Sequence, residues 1–174
     1  MKMTHGNSNL HLGDAVAAII TVGVGRYLLQ HRDDMPQIWY PGHWGCFGGA
    51  VQDGEDPREA LLRELKEEIE FVPTHMTYFT RFDFDLDPIG LRRYYRMYYV
   101  IDITMAERNR LVLHEGDGLE VFDARTVFEK LIVTPYDAFA LFLFHYQMRL
   151  TDDGVKETTQ SEKKSGVFED RGRG

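Results

Sequence analysis

Apolar and polar positions follow two periods along this chain, and the change of period marks its elements. Ala15 to Val22 is a nearly unbroken apolar run, Gly23-Val24-Gly25 supplies a turn, and Arg26 to Arg32 carries a second apolar stretch. That order predicts a buried strand, a tight connection and a returning strand. The period then switches: Ala60, Leu61, Leu62, Leu65 and Ile69 recur at helical spacing. Asp56, Pro57 and Glu59 form a start signal of N-cap, first-turn proline and first-turn acid, and Pro73 bars continuation. Alternation returns at Thr77–Asp85, where Tyr78, Thr80, Phe82 and Phe84 interleave with Phe79, Arg81, Asp83 and Asp85. Pro88-Ile89-Gly90 turns the chain into a tyrosine-rich strand expected over Arg92–Ile103. Leu119–Phe122 reads as a last strand and Ala124–Leu131 as a short helix. Thr134-Pro135-Tyr136-Asp137 repeats the capping logic and opens a helix running to Leu150. Strands, one central helix, more strands and a terminal helix predict an α/β/α sandwich on a mixed sheet.

The charges of the central helix narrow the chemistry. At about 100° per residue, Glu64, Glu67 and Glu68 share one face beside the apolar stripe of Leu61, Leu65 and Ile69, while Glu59, Lys66 and Glu70 point toward solvent. Like charges at this spacing cost about 0.2–0.5 kcal/mol per pair on an exposed helix, and partial burial raises the cost or forces protonation. A solvated glutamate-rich face is one reading. The other is a hard divalent cation, which reverses the sign because it takes carboxylate and phosphate oxygens. Arg63 can orient one of these carboxylates by a bidentate hydrogen bond.

The spacing from Gly49 to Phe71 separates the two readings. It resembles the Nudix box: glycine, five residues, glutamate, seven residues, Arg-Glu, a bulky aliphatic, any residue, Glu-Glu, any residue, glycine and a bulky apolar residue. Gly49, Glu55, Arg63, Glu64, Leu65, Glu67, Glu68 and Phe71 fall in register, and Glu70 stands where the family has glycine. A glycine there supplies a left-handed helix cap, and a glutamate forced into that conformation costs on the order of 1 kcal/mol. The alternative is a helix that runs one residue further and stops before Pro73. The resemblance implies the Nudix fold with one catalytic helix. It also implies hydrolysis of the pyrophosphate bond of a nucleoside diphosphate linked to another group: a nucleotide sugar, ADP-ribose or a nucleoside triphosphate. By resemblance, Glu64, Glu67, Glu68 and the carbonyl of Gly48 hold Mg²⁺, or Mn²⁺ in its place. Glu115 is a further metal ligand or base, with Glu120 in reserve, and Arg63 and Glu55 hold the glutamates in position.

Outside the box, several residues have a functional and a structural reading. Trp39, Tyr40 and Trp44 can pack a loop or stack on a base. Arg32 can face a substrate cleft or pair with Asp33 and Asp34. Arg93, Tyr95 and their neighbours interleave guanidinium and aromatic groups, which suits phosphate and base as well as a strand with snorkelling arginines. The candidate substrate-binding residues are Arg32, Trp44, Arg93 and Tyr95. Two rival functions share the fold. A non-catalytic nucleotide sensor is marked by loss of box glutamates, and none is lost here. An isoprenoid-diphosphate isomerase depends on a reactive cysteine, for which Cys46 is the sole candidate.

Composition adds limits. Net charge −8 argues against nucleic-acid and anionic-membrane partners, so the expected partner is a nucleotide-type small molecule. A single cysteine excludes an internal disulfide and points to a reducing cytoplasm. No apolar run approaches the roughly 20 residues of a membrane span. Residues 1–14 are expected to be a flexible lead-in, 15–150 the folded domain and 151–174 a disordered polar tail. Spare apolar surface on the last helix would suit a homodimer.

Overall fold

The computed structural model describes residues 13–147. Strands β1 (Ala15–Val22) and β5 (Tyr94–Ile103) lie side by side and parallel at the centre, in register from Ala15 opposite Arg96 to Val22 opposite Ile103. β4 (Thr77–Phe84) pairs antiparallel with the outer edge of β5. On the other side β2 (Arg26–His31) pairs with β1 only near the hairpin turn, then diverges to β6 (Gly118–Asp123) and to the short β3 (Trp44–Gly45). The divergence opens a gap along the first half of β1, and the loop after β3 fills it: Ala18 N–H donates to Phe47 O at 2.8 Å and Val16 N–H to Gly49 O at 2.9 Å.

The continuous apolar run of β1 is explained by cover on both faces. Val16, Ala18, Ile20 and Val22 pack with Leu61, Leu65 and Ile69 of α1 (Pro57–Ile69), whereas Ala17 and Ile19 pack with Val127, Ala140 and Leu141 on the opposite face. Val127 belongs to α3 (Ala124–Glu129), and Ala140 and Leu141 to α4, a helix over residues 135–147. The sandwich and mixed sheet expected from the element order are therefore present. No described helix is long and apolar enough to cross a membrane.

The boundaries differ in particulars. β5 starts at Tyr94, leaving Arg92 and Arg93 in the preceding loop, and α3 stops at Glu129. A short helix α2 (Met105–Arg108), unforeseen in the pattern, is closed by a reciprocal capping box between Thr104 and Glu107. Asp14, expected in the lead-in, is tied to the sheet: its carbonyl accepts from Val51 N–H at 2.9 Å and its carboxylate from Tyr95 N–H at 3.0 Å. Residues 1–12 of the lead-in, the expected helix end at Leu150 and the 151–174 tail lie outside the described residues.

Of the two exits open to α1, the chain takes the strained one. Glu70 caps the helix in the left-handed conformation, φ 52° and ψ 36°. Its carboxylate meets His114 Nε2 at 2.7 Å, and Phe71 N–H closes onto Leu65 O at 3.1 Å. The left-handed penalty is about 1–2 kcal/mol, and an exposed ion pair returns about 0–1 kcal/mol. Glu70→Gly is thus expected to stabilise the protein by about 1 kcal/mol, a rise of roughly 2–4 °C in Tm for a domain of this size. A lower Tm in thermal melting would show that the His114 contact outweighs the backbone strain.

Candidate active site

The site begins with two glycines and a helix face. Gly48 has φ +133°, and a Cβ there would collide with the carbonyl of Val16. A Cβ on Gly49 would land on the Glu64 carboxylate. At Gly48 only a glycine lets the loop lie this close to β1, while a side chain at Gly49 would displace the Glu64 carboxylate. The carbonyls of Phe47 and Gly49 are taken by β1, while Gly48 turns its N–H to Glu68 Oε2 at 2.9 Å.

Glu68 is 5% exposed. Burial, with the nearby charges of Glu64 and Glu115, pushes its carboxyl up to about 8, against the Gly48 N–H and the Gln30 side chain, which favour the ionised form. Glu64, half-buried, is also raised: burial dominates, Arg63 opposes it, and Glu67 and Glu115 add repulsion. Arg63 is the organiser of this face. Its Nε and Nη2 grip the two oxygens of Glu55 at 2.9 and 3.0 Å, Nη2 also reaches Ala50 O at 3.0 Å, and Nη1 donates to Glu64 at 2.6 Å and Glu67 at 3.3 Å. The pairing with Glu55, foremost its hydrogen bond, outweighs desolvation and keeps the guanidinium firmly charged. Loop 50–55 is thereby clamped to the helix.

Glu115 arrives from a different part of the chain. The loop before β6 is fastened to the end of α1 by His114 N–H to Glu68 O at 2.8 Å and Val112 N–H to Ile69 O at 3.3 Å, and the Gln30 side chain holds Glu115 O at 2.9 Å. Its carboxylate is close enough to raise both Glu64 and Glu68. Glu120 is elsewhere. Leu119 and Val121 pack toward α1, so strand alternation sends Glu120 to the other face.

Among the described residues no three His, Cys, Asp or Glu side chains stand grouped as an ion would need them. Arg63 occupies an oxygen of Glu64 and of Glu67, and Gly48 N–H one of Glu68. The donor set nonetheless fits a hard divalent cation. Its carboxylate oxygens include those of Glu64 and Glu68, whose burial and repulsion disfavour their own ionisation, which is what a bound cation would relieve.

The candidate substrate residues divide. Arg32, just beyond β2, donates from Nε to Trp39 O at 3.0 Å and lines a cavity of about 350 Å³ that also touches Gly48 and Gly49. Trp39 and Tyr40 line it too. Trp44 does not: its ring packs on Phe122 and His31, with centroids 4.7 and 4.9 Å away. Arg93 is an exposed loop residue paired with Asp85 and Asp87 at 3.1 and 3.0 Å. Tyr95 lies on the α1 side of the sheet, under the Arg81 guanidinium at 4.0 Å. Their neighbours Tyr94 and Arg96 line the cavity instead. Within β5, Tyr95 lies on the face opposite Tyr94 and Arg96, and Arg93 precedes the strand.

A buried carboxylate also escaped the sequence reading. Asp137, 1% exposed, accepts from Cys46 N–H at 2.9 Å, Thr134 Oγ1 at 2.8 Å, Tyr98 OH at 2.8 Å and Arg96 Nη2 at 3.2 Å. Its only sequence mark was its place in the Thr134-Pro135-Tyr136-Asp137 cap. The Cys46 thiol beside it is buried, and that burial together with the Asp137 charge holds it well above the usual thiol range. Such a thiol is a poor nucleophile.

Comparison with known proteins agrees with this architecture. An RNA pyrophosphohydrolase of Gluconacetobacter diazotrophicus is 44% identical over 57 residues, which are 31% of this chain and 34% of that protein. The nucleoside triphosphatase NudI of Escherichia coli O139:H28 is 33% identical over 94 residues, 48% of this chain and 63% of that protein. The chain thus spans about a third of the first relative's length and just under two thirds of the second's. The crystal structure of the MutT protein from Methanosarcina mazei Go1 has the same fold, with TM-score 0.63 and 18% identity over 76% of this chain and 92% of that one. The family model of the NUDIX domain matches residues 11–142, and with Glu64 and Glu68 set against the glycine loop, the chain belongs to the NUDIX domain family.

Proposed function

We propose that this chain is a divalent-metal-dependent hydrolase of the pyrophosphate bond in a nucleoside diphosphate joined to another group. The observation that carries the reading is that Glu64, Glu68 and Glu115, from two separate segments, repel one another beside the tight Gly48-Gly49 loop, whose Gly48 N–H holds Glu68. Gly48 O, Glu64, Glu67, Glu68 and Glu115 would hold Mg²⁺ or Mn²⁺. Such ions neutralise charge on diphosphate oxygens and lower the pKa of an attacking water. Arg63 keeps Glu64 and Glu67 aimed and fastens the loop through Glu55. Glu115, an exposed residue, would accept a proton from the water. The inert setting of Cys46 weighs against the isomerase reading.

The net charge of −8 favours a free nucleotide over a polynucleotide. A reducing cytoplasm suits the single buried cysteine. Phe139, Phe142 and Leu143 are exposed on α4, and a homodimer would cover them.

The test is release of phosphate or pyrophosphate from nucleotide sugars, ADP-ribose, dinucleoside polyphosphates, nucleoside triphosphates and 5′-triphosphorylated RNA. It is run with Mg²⁺, with Mn²⁺ and with chelator, and products are identified by mass. Metal-dependent cleavage of a mononucleotide class is the expected result. Binding of one compound without cleavage of any would favour the sensor reading.

A further inference from the structure

The cavity beside the glycine loop has walls that the box does not supply. Phe84 of β4 and Tyr94 of β5 stack on one another with centroids 4.7 Å apart and planes within 13°, an aromatic pair in the lining. Tyr136, at the start of α4, carries the Arg96 guanidinium over its ring at 4.4 Å and meets Tyr40 edge-on at 5.5 Å. Arg96 is the polar feature of this wall. Its side chain is 11% exposed, its Nε donates to Tyr98 OH at 3.0 Å, and Nε and Nη2 reach Asp137 Oδ1 at 3.3 and 3.2 Å. Nη1 takes no part in these bonds, and Arg96 is among the residues that line the cavity. Asp137 balances the Arg96 charge, which makes this group a weak phosphate cradle and a well-fixed hydrogen-bond fork.

We propose that this cavity is a nucleobase pocket selective for 6-oxopurines, guanine and hypoxanthine, and that Arg96 determines the specificity by donating to O6 and N7. Both atoms are acceptors at the spacing of a guanidinium edge, and arginine reads them bidentately. Adenine puts an amino donor where O6 would be, leaving donors face to face in a desolvated site. Uracil has a carbonyl but neither N7 nor the second ring that adds apolar contact with the aromatic lining. The placement of the phosphates toward Gly48 and Gly49 rests on the hydrolase reading; recognition of the base does not.

Nucleoside monophosphates have no pyrophosphate bond, so their binding tests the pocket apart from turnover. By calorimetry, GMP and IMP are expected to bind roughly tenfold to a hundredfold tighter than AMP or UMP, and 7-deaza-GMP to lose most of that margin. Arg96→Met alone would strand Asp137, so the paired variant Arg96→Met with Asp137→Asn is used, and it is expected to bind GMP and AMP alike. Tyr94→Leu is expected to weaken every base by a similar factor. AMP binding as tightly as GMP, 7-deaza-GMP binding as tightly as GMP, or no monophosphate binding would overturn the proposal. If the paired variant does not fold, the 7-deaza comparison on the unmodified protein decides. GMP selectivity without hydrolysis of any nucleotide would leave the pocket standing and sink the hydrolase reading.

Discussion

Glu68→Gln is expected to remove turnover and leave the fold intact. The side chain is almost wholly enclosed, and its carboxyl is pushed up to about 8 by burial and by Glu64 and Glu115. A neutral amide therefore sits there at least as comfortably as a carboxylate, and its oxygen still accepts from Gly48 N–H, the 2.9 Å bond that joins loop and helix. If Glu68 is the metal ligand proposed above, the amide lacks the negative charge a divalent cation requires there. Loss of groups that merely support metal ligands costs about 10–100-fold, so removal of a ligand should lower kcat/KM by at least about a hundredfold. The variant's Tm in chelator should match or exceed that of the parent, and its gain in Tm on adding Mg²⁺ should shrink. Near-parental activity would remove Glu68 from the site. Glu67, 56% exposed in its side chain, is expected to show a smaller loss on the same substitution.

Asp137→Ala is expected to be the most damaging single change to stability. One carboxylate joins the loop after β3 through Cys46, β5 through Tyr98 and Arg96, and α4 through Thr134. Truncation leaves Arg96 charged, nearly buried and without its counter-ion, which costs about 3–5 kcal/mol. For a domain of this size that is a fall of roughly 6–20 °C in Tm. Asp137→Asn keeps an acceptor in place and should fall between the two. A Tm within about 2 °C of the parent for the alanine variant, inside the span of ordinary surface substitutions, would show that the network is dispensable.

The parts of this molecule that were legible in its sequence are those specified locally. The α1 start is written in Asp56 and Pro57, and Asp56 does accept from Arg58 and Glu59 N–H. The β1–β2 hairpin is written in its glycines and apolar runs. α2 has its signature too, Thr104 and Glu107 three apart, but no apolar periodicity follows to mark it as a helix. The phase of β5 was not legible. Its residues from Tyr94 to Met97 are half-buried on both faces, so no polar side marks which way each ring points. Asp137 was hidden for another reason: three of its partners, Cys46, Arg96 and Tyr98, lie about 40 residues or more away.

By itself the sequence determined the sandwich, the central helix, the family resemblance and the identity of the box carboxylates, because capping, periodicity and motif spacing act within a few turns of chain. Only the tertiary structure decided the rest. It placed Glu115 beside Glu64 and Glu68, drew Arg96 and Tyr94 rather than Arg93 and Tyr95 into the cavity, and put Glu70 in a glycine's conformation against His114. Each of those outcomes depends on strand pairing and on hydrogen bonds between segments far apart in the chain, and a local pattern carries no record of them.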